Sequence, residues 1–261
     1  MSAGAGAAAT IRAADVRAAN GVRWIVDGFH IYRARPLIWS GLTLGWLVIS
    51  FGLLLVPLIG GIVANVLQPV FFASFAFAAR RQLAGERVDM GDLFLGFRAN
   101  RRALVNVGML ELAAAFAIVF GLTFLAGPLD SPLDASATRN AEELAKVLQD
   151  KAGYIFAGLA LYALVKGALW FAPALIAFHG LSAMHAIRWS VYAALSNIGA
   201  MLTYLLALSA MYLVAALPWA LGFIVAVPVM CLSTYTGYRD VFERDGSPPP
   251  DTGARGQAPR G

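Results

Sequence analysis

The chain has 261 residues, of which 59% are apolar and only 13% charged, with a net charge of +5 and a mean hydropathy of +0.69. So few charges cannot cover a water-soluble body of this size, and so apolar a chain cannot stay disordered over most of its length. A disulfide scaffold is excluded by the single cysteine, Cys231. The remaining class is an all-α, polytopic integral membrane protein.

The first segment, 1–21, is rich in Ala and Gly and reads as a disordered cytoplasmic tail with no signal-peptide core. An interfacial helix follows, with Val22, Ile25, Phe29 and Tyr32 on one face and Arg23, Asp27 and His30 largely elsewhere. From Pro36 to Ala79, 44 residues, there is no Asp, Glu, Lys, Arg or His, and from Trp189 to Tyr238, 50 residues, there is again none. A spanning helix needs about 20 residues, so each run holds two crossings and a turn. The turns fall at Pro57 with Gly60-Gly61 and at Leu217-Pro218-Trp219. Ala103–Leu129 carries only Glu111, and Ala152–Ile187 only Lys166, His179 and His185. Six spanning helices are expected near 37–56, 62–79, 103–127, 154–178, 194–216 and 219–238, within a membrane domain 22–245. An acidic external loop covers 128–153, and 246–261 forms a second disordered tail. The runs do not alternate apolar with polar residues, which excludes a membrane barrel; helices also satisfy their own backbone groups in lipid.

Sixteen of the twenty basic residues fall on one side of this map, among them Arg12, Arg17, Arg80, Arg81, Arg87, Arg98, Arg101, Arg102, Arg188 and Arg239. Arg139, Lys146 and Lys151 lie on the other side, with five acids. That asymmetry places both termini in the cytoplasm of a bacterial inner membrane and makes the net charge a topology signal, so no nucleic-acid partner is expected. Arg80, Arg81, Arg98, Arg101 and Arg102 are candidate contacts for anionic lipid headgroups, the other reading being that they only fix topology.

The first and last hairpins resemble each other. Pro57 follows Pro36, and Pro218 follows Asn197, by 21 positions; Pro69 precedes Arg80, and Pro228 precedes Arg239, by eleven. Pro173 precedes His185 by twelve, and Gly28-Phe29 precedes Arg33 as Gly96-Phe97 precedes Arg101. Three units, each an amphipathic segment followed by a hairpin, account for this pattern; chance similarity among apolar segments is the competing reading. Pro69, Pro173 and Pro228 are expected to kink their helices at one depth, as ordinary bends or as the walls of a shared cavity.

Glu111 lies roughly 12 Å and Lys166 roughly 18 Å below the cytoplasmic end of consecutive antiparallel helices, at 1.5 Å per residue. Charges in hydrocarbon are costly and usually paired, so the two are a candidate intramembrane pair, as a structural pin or as part of a proton-coupled path. His179 and His185 do not share a helical face, and no metal or cofactor site is expected. Gly41 and Gly45 offer one small-xxx-small step to a neighbouring helix. Trp24, Trp39, Trp189 and Trp219 suit an interfacial aromatic belt. Nucleotide loops, nucleophile elbows and paired catalytic carboxylates are absent from the sequence.

The segments Val22-Arg23-Trp24-Ile25-Val26-Asp27-Gly28-Phe29, Val56-Pro57-Leu58-Ile59-Gly60, Pro69-Val70-Phe71, Asp92-Leu93-Phe94-Leu95-Gly96-Phe97, Trp170-Phe171-Ala172-Pro173-Ala174-Leu175 and Tyr238-Arg239-Asp240-Val241-Phe242 resemble an uncharacterised proteobacterial inner-membrane family across about 22–243. More loosely, the chain is similar to the membrane domains of glycerophosphodiester phosphodiesterases, which hints at lipid; this chain has no catalytic domain. The expectation is a non-enzymatic inner-membrane protein that contacts lipid or scaffolds a protein partner through its basic face. The alternative is a small transporter or channel with a cavity near Pro69, Pro173, Pro228 and the Glu111/Lys166 pair.

Overall fold

The computed structural model describes residues 11–126 and 141–244, and every regular element among them is a helix. In chain order these are α1 Asn20–Ala34, α2 Pro36–Leu54, α3 Gly60–Leu83, a 3-10 helix Met90–Arg98, α4 Arg101–Ala126, α5 Ala141–Ala168, α6 Ala172–His179, α7 Ala183–Ser196, α8 Ile198–Ala216 and α9 Phe223–Phe242. Five stretches are long and apolar enough to cross a membrane: α2, α3, α4 as far as Leu125, Gln149–His179 through α5 and α6, and α8. The expected sixth span, 219–238, corresponds to α9, which is not among the five. Its C-terminal half carries Arg239 and Asp240 and a run of Ser, Thr and Tyr, which dilutes its apolar composition, and several of these polar side chains are buried in the protein. Ser233 Oγ meets Tyr204 Oη at 2.7 Å, and Thr236 Oγ1 donates to Trp24 O at 2.7 Å.

Inner and outer helices separate by burial. The apolar window of α3 is 56% buried, against 17% for α2 and α8, whose Leu44, Val48, Phe51, Leu206 and Leu213 face outward. In a membrane that outward surface is lipid-facing, so it carries no penalty. The core is built from α3, α6 and α9, with Phe75, Phe171, Leu175, Leu232 and Tyr238 fully enclosed.

The amphipathic segments pack in cyclic order. The 3-10 helix lies on α3 and α2, α7 on α6 and α5, and α1 on α9 and α8. Each therefore covers the hairpin before it in the chain, and α1 closes the ring on the last. Two glycines set how closely they approach. At Gly28 a Cβ would sit 2.9 Å from Ser233 N and 3.1 Å from Val229 O; at Gly96 it would overlap Val70 O and come within 2.8 Å of Ser74 Oγ. Ser74 Oγ accepts from Gly96 N at 2.8 Å. Val70 and Ser74 stand one and five residues after Pro69, and Val229 and Ser233 stand one and five after Pro228.

Several expectations need correcting. The expected tail 1–21 is ordered from Ile11: Ala14 N donates to Val241 O at 2.8 Å, and Val16 N to Asn197 Oδ1 at 2.7 Å. Residues 1–10 and 246–261 lie outside the described residues, as does 128–140 of the external loop. The rest of that loop, 141–153, belongs to α5, where Ala141–Lys151 is rich in strong helix formers such as Ala, Glu, Leu and Lys. The expected helix 154–178 is broken at 169–171, where Pro173 has no N–H and its ring collides with the carbonyl four residues back. The break leaves Phe171 N free to donate to Ser190 Oγ of α7 at 3.0 Å. On α1 the protein takes a stripe of Asn20, Trp24, Gly28 and Ile31, while Val22 and Phe29 stay exposed. Gly41 and Gly45 admit Met90 and Leu93 of the 3-10 helix and not a second spanning helix.

A methyl at Gly96 has backbone on its path, whereas one at Gly52 meets nothing within 4 Å. Gly96→Ala is expected to cost about 1–3 kcal/mol, and Gly52→Ala close to nothing. The midpoints of thermal unfolding in detergent check this; equal midpoints would remove the close approach.

Candidate functional site

The polar cluster in the middle of the bundle is assembled from three helices. Glu111 is carried by α4 and is 3% exposed. Tyr162 and Lys166 stand four apart on α5, hence on one face. Lys166 Nζ lies 2.7 Å from Glu111 Oε1 and donates to Gln68 Oε1 of α3 at 3.1 Å; Tyr162 Oη donates to the same Glu111 oxygen at 3.1 Å. The cluster is electrically neutral and joins α3, α4 and α5. From 149 to 168, α5 has no fully buried residue, so this clamp does much of the work of holding it.

Beside the clamp is a cavity of about 50 Å³, lined by Gln68, Pro69, Glu111, Lys166, Trp170 and Pro173 among others. It has room for a few water molecules. Trp170 Nε1 is buried there without a hydrogen-bond partner. Two of the three prolines thus meet at the cavity. Pro228 does not line it; α9 contributes Thr234, six residues further on. Pro69 and Pro228 lie inside α3 and α9, while Pro173 opens α6 after a break, so it ends one helix and starts another.

At the basic end the five candidate arginines divide. Arg80 forms an ion pair with Glu243, stacks its guanidinium 3.7 Å above the Phe178 ring and reaches Tyr235 Oη at 3.4 Å. Arg81 pairs with Glu86 at 2.9 Å and with Asp92. The chain's own carboxylates therefore engage these two guanidiniums, while about a third of each side chain stays exposed (31% and 34%). Arg98, Arg101 and Arg102 are exposed and make no ion pair among the described residues. They stand beside Phe94, an exposed aromatic.

His179 Nε2 meets Tyr238 Oη at 2.9 Å and His185 Nδ1 meets Ser182 Oγ at 2.9 Å, so the two histidines are apart. Trp24 and Trp39 are not belt residues: both are buried, and their Nε1 groups donate to Asp240 Oδ2 at 3.0 Å and Gln82 Oε1 at 2.9 Å. Asp240 is the residue that sequence reasoning missed. It also accepts from Asn20 Nδ2 at 2.7 Å and pairs with Arg244 at 3.3 Å, tying α1 to the end of α9. An acid beside Arg239 in a basic tail gives no signal of a partner 216 residues away. Between α1 and the ends of α3 and α9 is a recess of about 800 Å³.

The chain is 30% identical over 251 residues to a probable inner membrane protein of Burkholderia thailandensis, covering 87% of this chain and 93% of the relative. No protein-family model and no solved structure matches it. The looser likeness to the membrane domains of glycerophosphodiester phosphodiesterases finds no support here.

Breaking a buried ion pair on one side typically costs about 3 kcal/mol, because a charge is left without a partner. Glu111→Gln and Lys166→Met are each expected to destabilise, and the double variant to lose about 1 kcal/mol or more less than their sum. A double-mutant cycle on detergent unfolding reads this coupling, and strict additivity would remove the clamp.

Proposed function

Because the chain belongs to the family of that Burkholderia thailandensis inner-membrane protein, we propose that it is a non-enzymatic inner-membrane protein that contacts anionic lipid through the basic end of its bundle. One observation carries this reading. Arg98, Arg101 and Arg102 are exposed and form no ion pair among the described residues, at the junction of the 3-10 helix and α4, close in sequence to exposed Phe94, while α1 exposes Val22, Val26 and Phe29. Guanidiniums beside an apolar rim match a headgroup layer over hydrocarbon.

The reading includes the topology: α9 is the sixth span, both termini are cytoplasmic, and one unit of amphipathic segment plus hairpin is used three times. Its supports are the basic asymmetry, the cyclic packing and the matching positions of Gly28 and Gly96. Transport has less in its favour. The cavity beside the Glu111–Lys166 clamp is small and its charges are mutually neutralised, so the clamp is a pin between helices.

Native mass spectrometry from bilayers containing phosphatidylglycerol should show fewer retained lipids for Arg98→Gln/Arg101→Gln/Arg102→Gln than for the wild type; equal retention overturns the lipid contact. Orientation is tested separately by cysteine labelling, which the buried Cys231 leaves free of background. In spheroplasts an impermeant maleimide is expected to label Leu217→Cys, at the α8–α9 turn, and to label Arg87→Cys only after permeabilisation. The reverse pattern would invert the topology.

A further inference from the structure

The recess between α1 and the ends of α3 and α9 goes beyond this lipid-facing surface, and we propose that it is a binding site for a phosphate ester. Its volume, about 800 Å³, lies within the range of about 300–1,000 Å³ in which small ligands are held. Its walls are polar and apolar in equal parts, with Trp24, Ile31 and Leu83 among the apolar residues, and its charges are unequal. Arg23, Arg35, Arg239 and Arg244 line it, facing Asp27, Asp240 and Glu243.

Two of those three acids are already satisfied from within the wall. Asp240 accepts from Asn20 Nδ2 and Trp24 Nε1 and is ion-paired with Arg244 at 3.3 Å. Glu243 is paired with Arg80, which approaches from α3, and more distantly with Arg239 at 3.8 Å. Once these pairs are closed, positive charge remains. Among the described residues Arg23 has no ion-pair partner, and the Arg35 guanidinium donates to the backbone carbonyl of Glu86, at 3.2 Å, and forms no ion pair.

The geometry of α1 directs this charge into the space. Trp24, Gly28 and Ile31 face the protein, and Val22, Val26 and Phe29 are exposed apolar residues. Arg23, Asp27 and His30, spaced by four and three residues, form the face between those two stripes and line the recess. Guanidiniums offer the planar donor pairs that fit phosphate oxygens, and the His30 ring adds a further polar atom. Asp27 has no ion-pair partner among the described residues and lies one turn from Arg23. Beside a guanidinium it suits a phosphate carried with a hydroxyl donor better than a bare polyanion.

Phosphate of this kind reaches the recess either as a lipid headgroup or as a soluble ester, and two probes separate the sources. The full chain in detergent is titrated with inorganic phosphate, reading the unfolding midpoint. The full chain in phosphatidylcholine nanodiscs doped with phosphatidic acid is read by native mass spectrometry. Arg23→Gln/Arg35→Gln removes two recess charges without breaking an ion pair; Arg12→Gln/Arg188→Gln removes two exposed charges elsewhere. The expected result is binding in at least one arm, weakened about tenfold or more by the first double variant and little changed by the second. Binding in the nanodisc arm alone identifies the lipid headgroup, and binding in the titration identifies the soluble ester. Binding in neither arm, or equal weakening by the two double variants, overturns the site. Arg98, Arg101 and Arg102 are intact throughout, so failure here is distinct from failure of the lipid-contact reading.

Discussion

An ionised carboxylate in hydrocarbon is tolerated only when its charge is answered at contact distance, and the middle of this bundle is arranged around that constraint. Glu111 receives Lys166 and Tyr162 on a single oxygen, and Lys166 also reaches Gln68. Each partner comes from a helix that has to be in place for the others to be satisfied. Apolar packing does not supply this for α5, since lipid tails solvate its leucines as well as a neighbouring helix would. The clamp therefore adds a specific polar fix to a helix that otherwise meets α4 and α7 through partly exposed apolar surface.

The inner helices solve a different problem. α3 and α9 each contain a proline, and five residues after it a serine meets a glycine of an amphipathic segment. Small residues on both sides let backbones come together, and that proximity makes dispersion effective where water cannot drive association. The third inner helix reaches a related result by breaking: Ser190 of α7 takes the amide that the break before Pro173 releases. In all three places the segment at the basic end is held by small polar contacts as well as by apolar area.

Much of this was legible in the sequence, for identifiable reasons. The charge-free runs from Pro36 to Ala79 and from Trp189 to Tyr238 read as hairpins because an ion in hydrocarbon is costly, and α2, α3 and α8 within them are long and apolar enough to span. Glu111 and Lys166 stood out as the isolated exceptions on consecutive helices. What hydropathy cannot report is which side of a helix meets protein, because lipid and protein core are equally apolar. Trp24 and Trp39 therefore read as interfacial anchors although each is buried with its indole N–H on Asp240 or Gln82. The protein-facing stripe of α1 was hidden because it is made partly of Asn20 and Gly28, which carry no apolar signal. Arg80 and Arg81 read as free for headgroups because their acids, Glu243 and Asp92, are brought to them by the fold.

The closure of α1 onto α9 bears on how the molecule is made. Trp24 and Asp240 are 216 residues apart, and at roughly 5–20 residues per second the ribosome needs roughly ten to forty seconds to deliver the second after the first. Through that interval the first helix has no α9 to cover Trp24, Gly28 and Ile31, and its amphipathic character lets it rest on the membrane surface meanwhile. The first of the described helices is thus among the last to dock, through a long-range ring closure that a chain truncated before Asp240 cannot perform.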